Sequence, residues 1–515
     1  MSDAAPNVDQ LTDPLDAGEP FQHLHPLSIM LKSVSLLGRN IILIGVLYFS
    51  LFDQNIFYTG LAALAIVAIV IGTTALIWAR FTYQVGKKEI RIKSGLLNRN
   101  NRSIPFDRIQ DVSLEQKLLH RLLGLTTVRF ETGSGGGEDG ALDALKLTNG
   151  EALRDTIRDY KSGVTADAAN NIPAPEAEEK TPLFAMDNRR ILIAGVFNFS
   201  FILLAVLGTI AQNLDFLIPE GFFDPRHWIE TISQQNNLNG LSMTARIGGV
   251  IAAIGSLVAI GFFSGIVRTF IREYGFRLDL ADTGQTGFRR RRGLFTLTDM
   301  VMPIHRVQAA IVSTGPVRQS FGWYHLKFQS LAGDQSGETD HSAAPCAKPE
   351  EIDPIIAETQ IAELPDGLVF EQVDQAFWWR DAVIIWLVLK IAALGLGFFV
   401  HTGFFALILL AVPLIAGQFL NWRYHQFALT ENQLFVRSGW WKRKLTMLPL
   451  RKIQSADIGQ SPLDHPLDLA TLTIGIAGGS ALSPLKIMDI EIQKAVSLRN
   501  QLLPGQTRTR ERPVA

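Results

Sequence analysis

The sequence predicts a membrane protein of mixed α and β structure. It has three transmembrane helical hairpins, six spans in all, each followed by a cytoplasmic antiparallel β domain closed by a C-terminal helix. Three observations lead there. Long apolar runs come in pairs, Lys and Arg flank each pair at its outer ends, and one Gly/Pro/Gln pattern recurs three times with constant spacing.

The hydrophobic fraction of 47% and mean hydropathy of +0.17 are not decisive as averages; the concentration of apolar residues into runs is. Residues 58–78 carry no charge, and 21 residues at about 1.5 Å each match a hydrocarbon core of roughly 30 Å. Residues 41–52, continuing back through Leu36 and Leu37, form the partner span, with a turn near Asp53 and Asn55. The second pair is 191–211 with 247–267, and the third is 382–399 with 404–420, turning at 401–403. Lys32, Arg39, Arg80, Lys87 and Lys88 flank the first pair; Arg189, Arg190, Arg268 and Arg272 the second; Arg380 and Arg423 the third. The first and third turns have no Lys or Arg, and the longer middle turn has Arg226 among four acids. The positive-inside bias then puts both termini and all β domains in the cytoplasm of a multi-pass cell-membrane protein.

The domain plan is a disordered tail (1–30), hairpin 1 (31–80), β domain 1 (81–160), a linker (161–185), hairpin 2 (186–272), β domain 2 (273–360), a linker (361–381), hairpin 3 (382–420), β domain 3 (421–503) and a disordered tail (504–515). The acidic, Pro-containing N-terminus lacks the basic and apolar regions of a signal peptide. Cys346 is the single cysteine, so no intrachain disulfide forms. A net charge of -1 provides no bulk attraction to nucleic acid.

The repeat reads G-x9-P-x2-[RK]-[IV]-Q. Its copies are Gly95, Pro105, Arg108, Ile109 and Gln110; Gly293, Pro303, Arg306, Val307 and Gln308; and Gly439, Pro449, Lys452, Ile453 and Gln454. Nineteen residues after each Pro stand the turn formers Gly124, Gly322 and Asp468. Apolar pairs two apart then mark a half-buried strand: Val128 and Phe130, Leu326 and Phe328, Leu472 and Ile474. Within the motif the Gly sets a turn, the Pro starts a strand and the Ile or Val packs inside. Strand-like runs at 81–93, 274–280 and 427–437 begin the copies, and the second has an insert, 283–292, before its Gly. Amphipathic helices end them. The first is capped by Asn149 with Leu153, Ile157 and Tyr160 inward. The second starts at Pro349 and Glu350 with Ile352, Ile355 and Ile356. The third has Ile492, Val496 and Arg499 on one stripe, beside Leu498 and Leu502.

Paired apolar helices followed by a domain carrying P-x2-[RK]-[IV]-Q resemble the bacterial pleckstrin-homology-like (PH-like) membrane proteins. The triplication resembles the large YdbT-like members, over residues 31–503. The resemblance implies that each β domain is a PH-like sandwich plugged at one end by its C-terminal helix. It also implies a partner, a smaller single-copy PH-like membrane protein, with self-association as the alternative.

Basic clusters near the repeat glycines are the candidate lipid or partner sites. The first copy has Lys87, Lys88, Arg91, Lys93, Arg99 and Arg102; the second Arg289, Arg290, Arg291 and Arg292; the third Lys442, Arg443 and Lys444 after Trp440 and Trp441. Anionic membrane lipids attract such residues by roughly 1 kcal/mol each, and Trp favours the headgroup level. Lys390 lies mid-span and suits an interhelical contact or a polar pathway; Asn198 suits a hydrogen bond between helices. The Gly-rich 133–140 lacks the Lys-Ser/Thr of a phosphate loop. No catalytic, metal or cofactor motif stands out, so the expectation is a non-catalytic scaffold without cofactors, with a transporter or export component as the alternative.

Overall fold

The computed structural model describes residues 20–39, 56–96, 98–132, 140–162, 181–200, 243–283, 285–330, 340–399, 402–477 and 484–503. Outside these fall the span at 41–52, part of the 191–211 span, the middle turn up to residue 242, the Gly-rich loop except Gly140, residues 1–19 of the first tail and the whole tail at 504–515.

Among the described residues, each repeat contains seven strands. In repeat 1 they are β1 (Gln22–His23), β2 (Thr82–Val85), β3 (Glu89–Ser94), β4 (Asn100–Pro105), β5 (Ile109–Gln116), β6 (Leu125–Thr132) and β7 (Gly140–Lys146). Repeat 2 has β8 (Phe184–Ala185), β9 (Arg277–Thr283), β10 (Gln285–Arg292), β11 (Leu297–Pro303), β12 (Val307–Thr314), β13 (Tyr324–Ser330) and β14 (Asp340–Ala347). Repeat 3 has β15 (Glu371–Gln372), β16 (Gln426–Leu429), β17 (Gln433–Ser438), β18 (Arg443–Pro449), β19 (Ile453–Gly459), β20 (Leu469–Ile476) and β21 (Leu485–Glu491).

The first strand of each repeat precedes its apolar helices and pairs antiparallel with the strand that follows them, as Gln22↔Tyr83, Phe184↔Leu278 and Glu371↔Phe427. The helix pair is therefore inserted into the β domain rather than placed before it. This corrects the plan in three places. Residues 20–30 are ordered rather than tail, with Leu24 buried and its carbonyl accepting from Trp78 Nε1 at 2.9 Å. The two linkers likewise contain strands β8 and β15.

The helices are α1 (Leu27–Arg39) and α2 (Ile56–Arg80), α5 (Asn188–Val196) and α6 (Met243–Glu273), and α9 (Ala376–Phe399) and α10 (Ala411–Tyr424). A 3-10 segment, Thr402–Leu410, leads into α10. Among the described residues, three stretches are long and apolar enough to cross a membrane: Gly255–Glu273, Ala376–Phe398 and Phe404–Tyr424. Helix α5 ends at Val196, earlier than the continuous span expected from 191. Asn198, just beyond it, donates from Nδ2 to Thr269 Oγ1 on α6 at 3.1 Å, the expected bond to the neighbouring helix.

Gly95, Gly293 and Gly439 have φ of 103°, 116° and 76°. A Cβ there would meet a backbone carbonyl oxygen at 1.9, 1.9 and 2.4 Å, so the turn admits only glycine. Gly124, Gly322 and Asp468 share the left-handed region at 65°, 70° and 51°, and Asp tolerates it where most residues do not. Pro105, Pro303 and Pro449 end strands β4, β11 and β18 instead of starting strands. With φ fixed and no donor, each turns the chain across to the opposite sheet, through a 3-10 turn in repeats 2 and 3. Ile109, Val307 and Ile453 then point into the cores, and the paired residues at Val128/Phe130, Leu326/Phe328 and Leu472/Ile474 are fully buried.

The stretch expected as an insert is part of a regular hairpin that is longer than its counterparts in the other repeats. Thr283 ends β9 and residues 285–292 form β10, paired on both sides, with Phe288 in the core and the arginines alternating between faces. Helix α4 (Leu147–Ser162) closes repeat 1, starting two residues before Asn149, which is thus not its cap. Helix α8 (Pro349–Ala357) buries Ile352, Ile355 and Ile356 as expected. Helix α11 (Ile492–Leu502) buries Ala495, Leu498 and Leu502, with Val496 exposed, so its inward stripe is rotated from the expected one.

The sheets run from one repeat into the next. Strand order is β1-β2-β3-β4, then β7-β6-β5-β11-β10-β9-β8, then β14-β13-β12-β18-β17-β16-β15, then β19-β20-β21. The repeats join by β5 with β11 and by β12 with β18. Leu114 pairs with Asp299 at the first joint and Val312 with Leu445 at the second. Counted from the prolines, both joints pair position +9 with position −4, the same register twice. Side chains reinforce the joints. Arg154 Nη1 meets Asp299 at 3.4 Å, and Lys452 Nζ donates to the His305 carbonyl at 2.9 Å. Phe435 and Met447 of repeat 3 pack into the core of repeat 2.

His425, just past α10, is buried and stacked on Phe377, and its Nε2 accepts from the Met488 N–H at 3.3 Å. Burial lowers its pKa to about 4. The folded value lies below the ordinary 6.5, so the unfolded chain takes up the proton first as pH falls. Stability is unaffected above about pH 6.5 and is lost between there and about 4, by up to about 3 kcal/mol. Unfolding of repeat 3 followed against pH should show this slope, and His425→Gln should flatten it.

Candidate functional site

Strands β2, β9 and β16 begin where α2, α6 and α10 end, so their starts mark the helix-bearing end of the sandwiches. Antiparallel pairing then places the repeat-glycine turns at that end, together with the segments between the fifth and sixth strands of each repeat. The joints agree, since Gln116 stands opposite Leu297 and Thr314 opposite Arg443.

These loops carry exposed apolar side chains at matching positions. Five and one residues before Gly124, Gly322 and Asp468 stand Leu119 and Leu123, Val317 and Phe321, and Leu463 and Leu467, all exposed. In repeats 1 and 2 they lie on or beside the short helices α3 (Leu118–Leu122) and α7 (Pro316–Ser320). Leu96, Phe295 and Trp441 add exposed tips on the glycine turns. Burying apolar surface is worth about 25 cal/mol per Å², so a row of such tips at one end favours an apolar or interfacial neighbour. The basic clusters drew attention to the glycine turns, but these six residues were missed. Their constant offset from the turn residues was the available signal.

A cavity of about 500 Å³ opens within this rim, between the 197–199 segment, α7, β13 and the glycine turn of repeat 3. Arg272, Arg318, Lys327 and Lys442 line it with His325, Trp441 and Phe199, and none of its lining residues is acidic. Arg318 donates to the Tyr324 carbonyl at 3.1 Å and also to Pro345, while its Nε is buried with no hydrogen-bond partner. Burial, and then the charges of Arg318, Lys327, Arg272 and Arg292, hold His325 well below its usual pKa. The ring is neutral at pH 7, with Nε2 at 2.9 Å from Ser342 Oγ. Such a site suits an anion.

The sequence candidates separate on this geometry. Lys442 and Trp441 line the cavity. Trp440 packs edge-on to Trp441 and lies 3.6 Å from the Cβ position of Gly417 on α10. Arg443 hydrogen-bonds Gln319 across the joint and Tyr424 within its own repeat, and Lys444 pairs in register with Ser313. Arg289 makes a two-pronged bond to Asp299, Arg290 is buried with Nη1 on the Ser342 carbonyl at 3.2 Å, and Arg292 meets the fully buried Glu273 at 3.1 Å. Arg291 is the most exposed of that run. Among the motif residues, Arg306 and Gln308 are buried, with Gln308 donating to the Arg306 carbonyl at 2.8 Å, whereas Arg108 and Gln454 are exposed. Lys390 lies 4.7 Å from the Trp386 ring one turn away on α9, a partner within its own helix. Among the described residues, no three His, Cys, Asp or Glu side chains cluster as metal ligands.

Comparison with curated proteins and with solved structures gave no match. The family model of the bacterial PH domain matches three times, at residues 37–161, 229–360 and 385–506. Those matches cover most of the chain and coincide with the three sandwiches, so the chain belongs to the bacterial PH domain family.

Proposed function

We propose that this is a non-catalytic, multi-pass membrane scaffold. Its three PH-like domains lie against the cytoplasmic face of the cell membrane and hold anionic lipid headgroups at the basic rim. The observation that carries the reading is the coincidence, at the helix-bearing end, of repeated exposed apolar tips with a cavity lined by four cations. Helices that enter a bilayer bring that end to its surface. The tips then sit at the interface, where aromatic and apolar side chains are favoured, and the cavity lies at headgroup depth. The excess of Lys and Arg at the outer ends of the hairpins supports a cytoplasmic location for the domains.

The test uses the full chain in nanodiscs of mixed phosphatidylglycerol and phosphatidylcholine, with retained lipid read by native mass spectrometry. Enrichment of phosphatidylglycerol is expected. Lys327→Gln with Lys442→Gln removes two charges, worth about 2 kcal/mol, or roughly 30-fold in preference. Equal retention of both lipids by the parent protein would overturn the reading.

Binding should also be visible at His325. An anion in the cavity offsets the surrounding positive charge, so the His325 pKa is expected to rise on binding. Histidine-selective NMR in phosphatidylglycerol and phosphatidylcholine nanodiscs measures it; the same pKa in both would count against a headgroup in the cavity.

A further inference from the structure

The two joints consume one edge from each neighbouring sandwich and leave one of each kind over. Strand β5 is covered by β11 and β12 by β18, but β19, their equivalent in repeat 3, borders no further strand among the described residues. Strand β4, the equivalent of β11 and β18, is likewise the outer strand of its sheet. The burial pattern marks both edges as uncovered. Ser113 and Glu115 on β5 are buried, whereas Gln454, Asp457 and Gly459 on β19 are exposed. The first four residues of β4 are exposed, while the matching part of β11 is half-buried.

We infer that a second copy of this chain fills these edges head to tail, β19 of one copy pairing antiparallel with β4 of the next. The joint register fixes the contacts. Position +9 opposite −4 places Ile458 against Asn101 and, one step along, Asp457 against Arg102. Opposite charges directly across strands favour pairing. A second complementarity lies off the sheet. Ala144 and Asp489 both have positive φ in the last strand of their repeats, which aligns α4 with α11 and puts Arg499 where Arg154 stands. Arg154 bonds the outer face of the following repeat at Asp299. The outer face of repeat 1 holds Glu89, on the strand next to β4, bonded by Arg91 and Ser103 of its own repeat as Asp299 is by Arg289. The contact is heterologous, so an open assembly keeps one β4 edge and one β19 edge free until a ring closes. The inference rests on the repeat joints and is independent of lipid binding.

The test mixes two differently tagged full-length copies in membranes, one Arg102→Cys and one Asp457→Cys, under mild oxidation. Cα atoms paired across antiparallel strands lie about 5 Å apart, within disulfide reach. A cross-linked species of twice the monomer mass is expected only when both copies are present. The parent, whose Cys346 is fully buried, should give none, and a Gln454→Cys copy, three residues off register, should give only that background. In detergent, Asp457→Arg should lower the assembled fraction several-fold, and mixing with Arg102→Asp copies should restore it. A monomeric mass at every concentration, equal cross-linking between two Arg102→Cys copies, or a cross-link to a different protein would overturn the inference.

Discussion

Arg380→Leu is expected to destabilise repeat 3 by about 3–5 kcal/mol, the cost of leaving buried charge without its partner. Arg380 leaves α9 near its start and grips Asp489 with both guanidinium nitrogens, at 2.9 and 3.0 Å, while Nη1 also meets Asp464. Both carboxylates are almost entirely buried. The pair ties the apolar helix to the last strand of the sandwich and to the loop before β20. In the other repeats the first apolar helix is tied by Lys32 to Asp143 on the last strand at 3.3 Å and by Arg190 to Glu351 on the closing helix at 2.8 Å, each pair more exposed. Exposed pairs contribute at most about 1 kcal/mol, so Lys32→Leu should have a small effect. A chain of three fused domains does not unfold in two states. Hydrogen exchange resolved by repeat is therefore the appropriate measurement: protection should collapse in β19–β21 for Arg380→Leu and persist in repeat 1. Unchanged protection in repeat 3 would show that the ion pair does not hold the helix to the sheet.

Gly293→Val is the second large effect, expected to cost roughly 2–4 kcal/mol. The left-handed backbone at φ 116° disfavours any β-branched residue, and the new Cβ would lie 1.9 Å from the Thr296 carbonyl oxygen. The turn must open to relieve this, which displaces Phe295 and loosens the β10–β11 hairpin. Because β11 carries the joint to β5, damage should spread into repeat 1 through the Leu114↔Asp299 pairing. Limited proteolysis should detect earlier cleavage near β10–β11, together with faster exchange in β5. Wild-type protection in β5 would mean that the joint does not transmit the disturbance.

The sequence made the repeat legible because its punctuation is chemical. Gly95, Gly293 and Gly439 occupy a backbone region closed to other residues, and Asp468 could be read as equivalent to Gly124 because both tolerate left-handed geometry. Buried strands showed through period-two apolar pairs. The joints were not legible, since backbone hydrogen bonds between strand edges demand no particular side chain. Strands β1, β8 and β15 have only two residues each, too short for any pattern. The run Arg289–Arg292 read as part of an insert, because four arginines in succession hide the alternation that buries Arg290 and leaves Arg291 exposed. The basic and Trp residues around Gly439 pointed toward the rim, but the cavity also draws on Arg318, His325 and Lys327, which only folding brings beside them.

The most direct test of the account is the depth of the loop tips. Spin labels placed singly at Leu119, Phe321 and Leu467 in the full chain, reconstituted in anionic nanodiscs, report collision with oxygen against a water-soluble nickel chelate. The account predicts oxygen-dominated collision at all three positions, the signature of the headgroup–acyl boundary. Chelate-dominated collision at all three would place that end of the sandwiches in open water and contradict it.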